Sequence, residues 1–258
     1  MTAPVPAEAG WVLERGRQAH VAVVTGRGPH VTPELCTWSD GRLWFWFATS
    51  TLKARTLTGH PRAAAMVTVD GRSAIVRGQV DLFDPTRPLT WLSSPCRGLR
   101  AGRAAARYGA GHLPDLAGFV DDLARGRLGR RPPPLRILAA LEPDEAFAVD
   151  AGALGADDPG DAVVASFPGP AIAPGRWQAD GDQLLVAPSL LDRFHITGET
   201  TVAVVADEDH APGPAAKEGL LVRGRGERRG RSGALDVVAD TVTAWQGVEM
   251  ATTPLGGS

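Results

Sequence analysis

The chain has 258 residues, a formal net charge of −2, 43% apolar residues and 22% charged residues. This length suits one large domain or two of about 130 residues, and the composition excludes a disordered polar tail. No apolar run approaches the roughly 18 residues that span a bilayer, and the near-neutral charge gives no general attraction to nucleic acid or to an acidic membrane surface.

The N-terminal residues lack the basic stretch and following apolar stretch of a secretion signal. We therefore expect a cytoplasmic protein whose partner is a small molecule, with no nucleic-acid or membrane partner. Only Lys53 and Lys217 are lysines among the 27 basic residues, and the other 25 are arginines. A lysine is therefore more informative than an arginine in this chain.

The first 83 residues alternate short apolar segments with turn signals. A helix with an apolar side is predicted over residues 7–18. The predicted strands cover residues 20–25, 30–38, 43–48, 62–69 and 73–83, and a helix is predicted over 51–58. Turn signals about every ten residues are typical of a small antiparallel barrel.

Residues 85–134 have a different pattern and are predicted to be a helical insert. One helix is predicted over residues 99–108, and a second begins at Pro114. After the proline-rich segment 130–134, residues 135–149 are expected to form either two strands or one strand bent around Pro143.

The second half resembles the first when residue n is placed over residue n + 140. The matches are Val23–Val24 with Val163–Val164, Asp40–Gly41 with Asp180–Gly181, Lys53 with Arg193 and, after a six-residue insertion, Ile75–Gly78 with Leu221–Gly224. This order of matches predicts a tandem duplication. The expected domains are residues 1–150, including the helical insert, and a degenerate repeat over residues 151–258.

One segment combines the features of an anion site. Hydroxyls at Thr49, Ser50 and Thr51 lie where a predicted strand becomes a helix, with Lys53 in the first turn and Arg55 beyond it. Free backbone N–H groups, the helix dipole and a cation would converge there, which suits a phosphate monoester. The alternative is an N-capped surface helix with ordinary basic residues.

Other catalytic and metal-binding patterns are missing from the sequence. The six histidines show no metal-ligand spacing, there is no GxSxG motif, and Cys36 and Cys96 are far apart, so both are expected to be buried structural residues. We therefore predict no metal site and assign no catalytic residue.

The segment from Trp11 to Phe83 resembles the FMN-binding split barrels of the pyridoxamine 5'-phosphate oxidase-like superfamily. The resemblance lies in the order and spacing of HVAVVT, GPHVTPEL, WSDGRLWF, STLKARTL, HPRAAAMV and IVRGQV. It implies that Ser50, Thr51 and Lys53 hold the flavin phosphate. It also implies that the strand 30–35 runs beside the isoalloxazine ring, with Thr32 and Glu34 as candidate contacts.

The chain departs from that family at two places. Leu52 stands where the true oxidases commonly carry an arginine, and their C-terminal substrate-binding segment is not recognisable, so pyridoxamine phosphate is not the expected substrate. In the second half Ser189 and Arg193 match the phosphate loop, but Asp192 would place a negative charge beside a phosphate. The second phosphate site is therefore predicted to be empty.

The resemblance implies a mainly β (α+β) fold of tandem split barrels forming an internal pseudo-dimer, in a monomer or a homodimer. The implied function is an FMN-dependent oxidoreductase acting on an unassigned small-molecule substrate or electron acceptor. Three alternatives stay open: a deazaflavin-dependent reductase, a haem-binding or haem-degrading split barrel, and a non-catalytic flavin-binding protein.

Overall fold

Thirteen strands and five helices make up the part of the chain that the computed structural model describes. The described residues are 4–84, 95–127, 135–150, 161–166, 169–177, 183–209, 217–230, 233–247 and 249–255. The helices are α1 (Ala7–Arg15), α2 (Leu52–Gly59), α3 (Pro95–Gly111), α4 (Leu113–Ala124) and α5 (Pro188–Arg193). The strands are β1 (Gln18–Thr25), β2 (Gly28–Ser39), β3 (Arg42–Ala48), β4 (Arg62–Val69), β5 (Arg72–Phe83), β6 (Arg136–Asp150), β7 (Asp161–Ser166), β8 (Ala171–Trp177), β9 (Gln183–Val186), β10 (Glu199–Asp209), β11 (Lys217–Arg228), β12 (Ala234–Gln246) and β13 (Glu249–Pro254).

The first six strands form a closed antiparallel barrel in the order β1-β2-β3-β6-β5-β4. Alternate residues such as Val21, Val23 and Phe45 point into its core, where α1 and α2 also bury their apolar sides. The mainly β class and the barrel are thus confirmed. The first helix ends before the predicted residue 18, because Gln18 already pairs with Leu35 in β2.

Residues 136–150 form one long strand, which settles the choice left open around Pro143. The β5–β6 register shifts between Arg77 and Gly78, where Gly78 lies opposite Pro143. A proline has no N–H for the ladder, and a bulge accommodates that loss. Gly78 is required there, because an added Cβ would lie 1.9 Å from the carbonyl oxygen of Glu142.

The second sheet has the order β11-β10-β7-β8-β9-β12-β13, and β11 also pairs with β12. Six of its strands therefore close a ring in the order that the first barrel has. The β11–β12 register shifts between Arg223 and Gly224, and a Cβ on Gly224 would lie 2.0 Å from the carbonyl oxygen of Val238. The matched sequences Val76–Gly78 and Val222–Gly224 therefore form corresponding bulges. The predicted turn at Asp180–Gly181 lies outside the described residues, and the duplication itself stays a prediction.

The two units pack side by side over a shared apolar cluster. Val31 and Met66 of the first barrel join Ile172, Val202 and other residues of the second sheet in this cluster. The shared face also includes polar contacts. Asp207 Oδ2 accepts a hydrogen bond from Gln18 at 2.9 Å, and its other oxygen lies 2.6 Å from His20 Nε2.

Two further contacts between the units involve positions that the sequence match pairs. Arg223 contacts His30 Nδ1 at 2.7 Å, and Arg77 donates to the carbonyl oxygen of Pro170 at 3.1 Å. Arg77 and Arg223 are equivalent in the sequence match, and so are His30 and Pro170. Reciprocal contacts of this kind are typical of a two-fold interface, here between two parts of one chain.

The helical insert covers part of the first barrel. Ala101 and Ala104 of α3 pack with Trp44 and Phe83, and the buried His112 donates from Nε2 to the carbonyl oxygen of Cys36 at 2.8 Å. Both predicted helices are present; residues 85–94 and 128–134 of the predicted insert lie outside the described residues. The prediction for Cys96 was wrong: it lies in the first turn of α3 and is exposed, whereas Cys36 is buried. None of the described helices is long and apolar enough to cross a membrane.

Candidate functional site

The predicted phosphate loop is an N-capped helix start. Thr51 is the N-cap of α2: its hydroxyl accepts from the Ala54 N–H at 3.2 Å and donates to the Ala48 carbonyl oxygen at 2.8 Å. Ser50 is exposed, and Thr49 is half-buried with its N–H bonded to the Leu135 carbonyl oxygen. The Thr51 hydroxyl therefore already has two backbone partners.

Three of the predicted site residues meet beside this helix start. Lys53 is 1% exposed, and its Nζ donates to Glu34 Oε1 at 2.5 Å. Thr32 Oγ1 donates to the same carboxylate oxygen at 3.3 Å. Thr32 and Glu34 can both reach it because residues two apart on a strand share one face. We call Thr32, Glu34 and Lys53 the lysine cluster.

The charges around the lysine cluster are strongly perturbed by burial. Burial lowers the pKa of Lys53, whereas the Glu34 carboxylate acts in the opposite direction. Burial, followed by the charges of Lys53 and Arg223, lowers the pKa of His30 from 6.5 to about 3. His30 is therefore neutral near pH 7, and its Nδ1 accepts a hydrogen bond from Arg223.

An aromatic side chain of the insert is buried against the first barrel. The Tyr108 ring lies 5.5 Å from the Trp46 ring and 4.4 Å from the His112 ring, between centroids. Burial raises the pKa of Tyr108, and the charges of Arg136 and Glu34 are felt there as well. Sequence reasoning did not single out Tyr108, and its only signal was its place on the buried stripe of α3 with Ala101 and Ala104.

The lysine cluster, as arranged, does not fit a phosphate group. The Lys53 ammonium is enclosed and already neutralised by Glu34, and the Thr51 hydroxyl serves the helix cap. A phosphate dianion placed on Lys53 would lie beside the Glu34 carboxylate, and repulsion between the two would oppose its binding. The N-capped helix with a paired lysine matches the alternative interpretation of this segment.

Arg55 lies on a different side of α2, facing a groove of about 880 Å³. We call this the α2 groove; its lining includes Thr25, Arg55, His60, Arg62, Gln79 and, from the second unit, Pro170. Arg62 also pairs with the exposed Asp144 at 2.9 Å. In the described part of the chain, none of the residues that line the groove is acidic. The predicted site residues are therefore divided. Three form the lysine cluster, Thr49, Ser50 and Thr51 lie at the start of α2, and Arg55 faces this groove.

The matching loop of the second unit is engaged in other contacts. Arg193, the counterpart of Lys53, donates to Glu145 of the first barrel at 2.9 and 2.5 Å, and its guanidinium lies 3.8 Å from the Phe147 ring centroid. Asp192 accepts from Arg228 at 2.6 Å. Arg193 therefore joins the two units. Among the described residues there is also no group of three side chains that could hold a metal ion.

Comparisons with known proteins give similarities of fold to solved structures only. No family model matches the chain, and no curated protein matches it. A protein of unknown function from Agrobacterium tumefaciens is 20% identical, with 58% of this chain and 60% of that protein covered and a TM-score of 0.37. An F420 reductase is 21% identical over 55% of this chain and 98% of its own, with a TM-score of 0.37.

A third solved structure is a FAD-binding protein from Mesorhizobium loti. It is 15% identical, with 57% of this chain and 95% of that protein covered and a TM-score of 0.38. At these identities and scores, none of the three similarities supports an inference about what this chain binds.

Proposed function

We propose that this chain binds a flavin-class cofactor, FMN or a deazaflavin, with the anionic end of the cofactor in the α2 groove. The observation that supports this most is the set of basic side chains, Arg55, His60 and Arg62, around a groove without an acidic lining residue. The resemblance of residues 11–83 to FMN-binding split barrels supplies the cofactor class.

The size and charge of the α2 groove suit such a ligand. Ligand pockets generally measure about 300–1,000 Å³, and this groove has about 880 Å³. Arginine is well suited to phosphate, because its planar guanidinium donates two parallel hydrogen bonds. The C-terminus of α2 contributes only about half a negative charge, which Arg55 and Arg62 outweigh. The exposed Arg62–Asp144 pair is worth about 0–1 kcal/mol, so a phosphate can displace it.

A bound flavin would supply hydride or electron transfer, and the chain would bind and orient it. This makes the proposed activity that of an oxidoreductase with a small-molecule substrate or electron acceptor. A non-catalytic flavin-binding protein would use the same groove, and turnover with an added reductant and acceptor separates the two.

The test is a fluorescence titration of the purified chain with FMN and, separately, with a deazaflavin. Arg55→Ala should weaken binding about tenfold or more, the effect of losing one charge-assisted hydrogen bond of roughly 1.5–3 kcal/mol. Arg103→Ala is the matched control, because Arg103 is a highly exposed helical arginine outside the groove lining. Its affinity should equal that of the wild type.

Two results would overturn the proposal. One is the absence of binding of either cofactor by the wild type. The other is unchanged affinity in Arg55→Ala. If the double variant Lys53→Met/Glu34→Leu then loses binding, the phosphate lies on Lys53, as the resemblance implies.

A further inference from the structure

The geometry points to Glu34 as a specificity-determining residue: we propose that its carboxylate takes the place of a ligand phosphate on Lys53 and so excludes phosphate-bearing ligands from the start of α2. This inference rests on the lysine cluster alone, whether or not the α2 groove binds a flavin. It explains why the lysine of a segment with the composition of a phosphate loop is not open to an anion.

The carboxylate of Glu34 is held in place by two donors. Lys53 Nζ lies 2.5 Å from Glu34 Oε1, and Thr32 Oγ1 donates to the same oxygen at 3.3 Å. The Lys53 and Glu34 side chains are 2% and 16% exposed. An anion that bound Lys53 would have to displace Glu34 Oε1 from it, in a site with little access to water.

The neighbouring charges do not reverse this exclusion. Arg223 of the second unit already contacts His30, and His30 itself is neutral near pH 7. On the insert side, Tyr108 carries no charge at that pH because burial raises its pKa. With Glu34 in place, the Lys53–Glu34 pair therefore has no net charge with which to hold a phosphate.

The scarcity of lysine makes a direct test possible in the full chain. Labelling with ¹⁵N-lysine gives two ammonium signals, from Lys53 and Lys217, which a Lys217→Arg variant assigns. Inorganic phosphate and FMN are added separately to the wild type. The Lys53 signal should keep its chemical shift with both, including at FMN concentrations that saturate any binding measured by fluorescence.

The complementary experiment removes the carboxylate charge. Glu34→Gln should bind inorganic phosphate about tenfold more tightly than the wild type, the size of one charge-assisted contact, with a shift of the Lys53 signal. Glu34→Gln/Lys53→Met should lose that gain. Thr32→Val is the matched control, since it removes the other contact of Glu34 Oε1 but leaves the carboxylate charge, and it should bind no phosphate at Lys53.

Two results would overturn the proposal. A shift of the wild-type Lys53 signal with phosphate or FMN would mean that an anion displaces Glu34. A folded Glu34→Gln variant that gains no phosphate affinity would mean that Glu34 is not what excludes the anion. If Glu34→Gln does not fold, the titration of the wild type decides. Neither titration depends on whether Arg55 binds a flavin, so failure of the proposed function would leave this test intact.

Discussion

The ion pair between Lys53 and Glu34 leads to a quantitative prediction about stability. Lys53→Met removes the ammonium and leaves the Glu34 carboxylate without its partner. Breaking a buried pair from one side costs about 3–5 kcal/mol. Because the Glu34 side chain is 16% exposed and can reach some water, we expect about 3 kcal/mol for this variant.

The opposite single change should cost more than the first. Glu34→Leu leaves the ammonium of Lys53, 1% exposed, without a counter-charge, so the expected loss is about 4–5 kcal/mol. Replacing both members removes both charges at once, and apolar replacements of buried pairs are commonly neutral or stabilising. The double variant Lys53→Met/Glu34→Leu should therefore lie within about 1 kcal/mol of the wild type.

The assay is urea unfolding of the four proteins, followed by tryptophan fluorescence and by circular dichroism. The double variant should unfold at a higher urea concentration than either single variant. If the double variant lost as much free energy of unfolding as the two single variants together, the coupling between Lys53 and Glu34 would be refuted. Single-variant costs below about 1 kcal/mol, the value for an exposed pair, would refute the burial.

Three other predictions concern pH, the insert and the bulge. Burial and two neighbouring cations hold the pKa of His30 at about 3 instead of 6.5. As the pH falls from 6.5 to about 3, His30 therefore gains a proton only in the unfolded chain, and the free energy of unfolding should fall by up to about 1.4 kcal/mol per pH unit. His30→Gln should flatten this pH dependence in urea unfolding. His112→Ala loses a buried hydrogen bond to a β2 carbonyl, so the free energy of unfolding should fall by about 1–3 kcal/mol and hydrogen exchange should accelerate in α3 before the barrel. Gly78→Ala places a Cβ against a β6 carbonyl and should lower stability by about 3 kcal/mol in thermal unfolding, whereas Gly26→Ala, with open space around it, should change it by less than about 0.5 kcal/mol.

Much of the first barrel could be predicted because its strands and turns are encoded locally. The apolar segment 43–48 follows an Asp40–Gly41 turn, and both turn residues have positive φ, at 51° and 71°. Gly and Asp tolerate that conformation better than most residues. The N-cap role of Thr51 was equally local, because the capping bond spans only three residues.

The contents of the lysine cluster depended on barrel closure and could not be predicted in detail. Glu34 and Lys53 are 19 positions apart, and the distance between their side chains depends on how α2 packs against the barrel. Arg223 belongs to the other unit and contacts His30 across 193 positions. Nothing in the local sequence reports such contacts, so the paired state of Lys53 emerges only from the fold.

The separation of Arg55 from Lys53 follows from helix geometry. Residues two apart on an α-helix point in roughly opposite directions, since each residue turns the helix by about 100°. Lys53 lies on the buried side of α2, and Arg55 is exposed at the groove. Lys53 and Arg55 could contact the same phosphate only if the segment that contains them were a strand or a loop.

The reciprocal contacts between the two units affect which substitutions the protein can accumulate. In a homodimer a substitution at a two-fold interface occurs on both sides at once, whereas here each position occurs once per chain. One side already presents the ring of His30 to Arg223, while the other presents the backbone of Pro170 to Arg77. The two sides can therefore diverge independently, and dilution, which separates the subunits of a dimer, leaves these contacts intact.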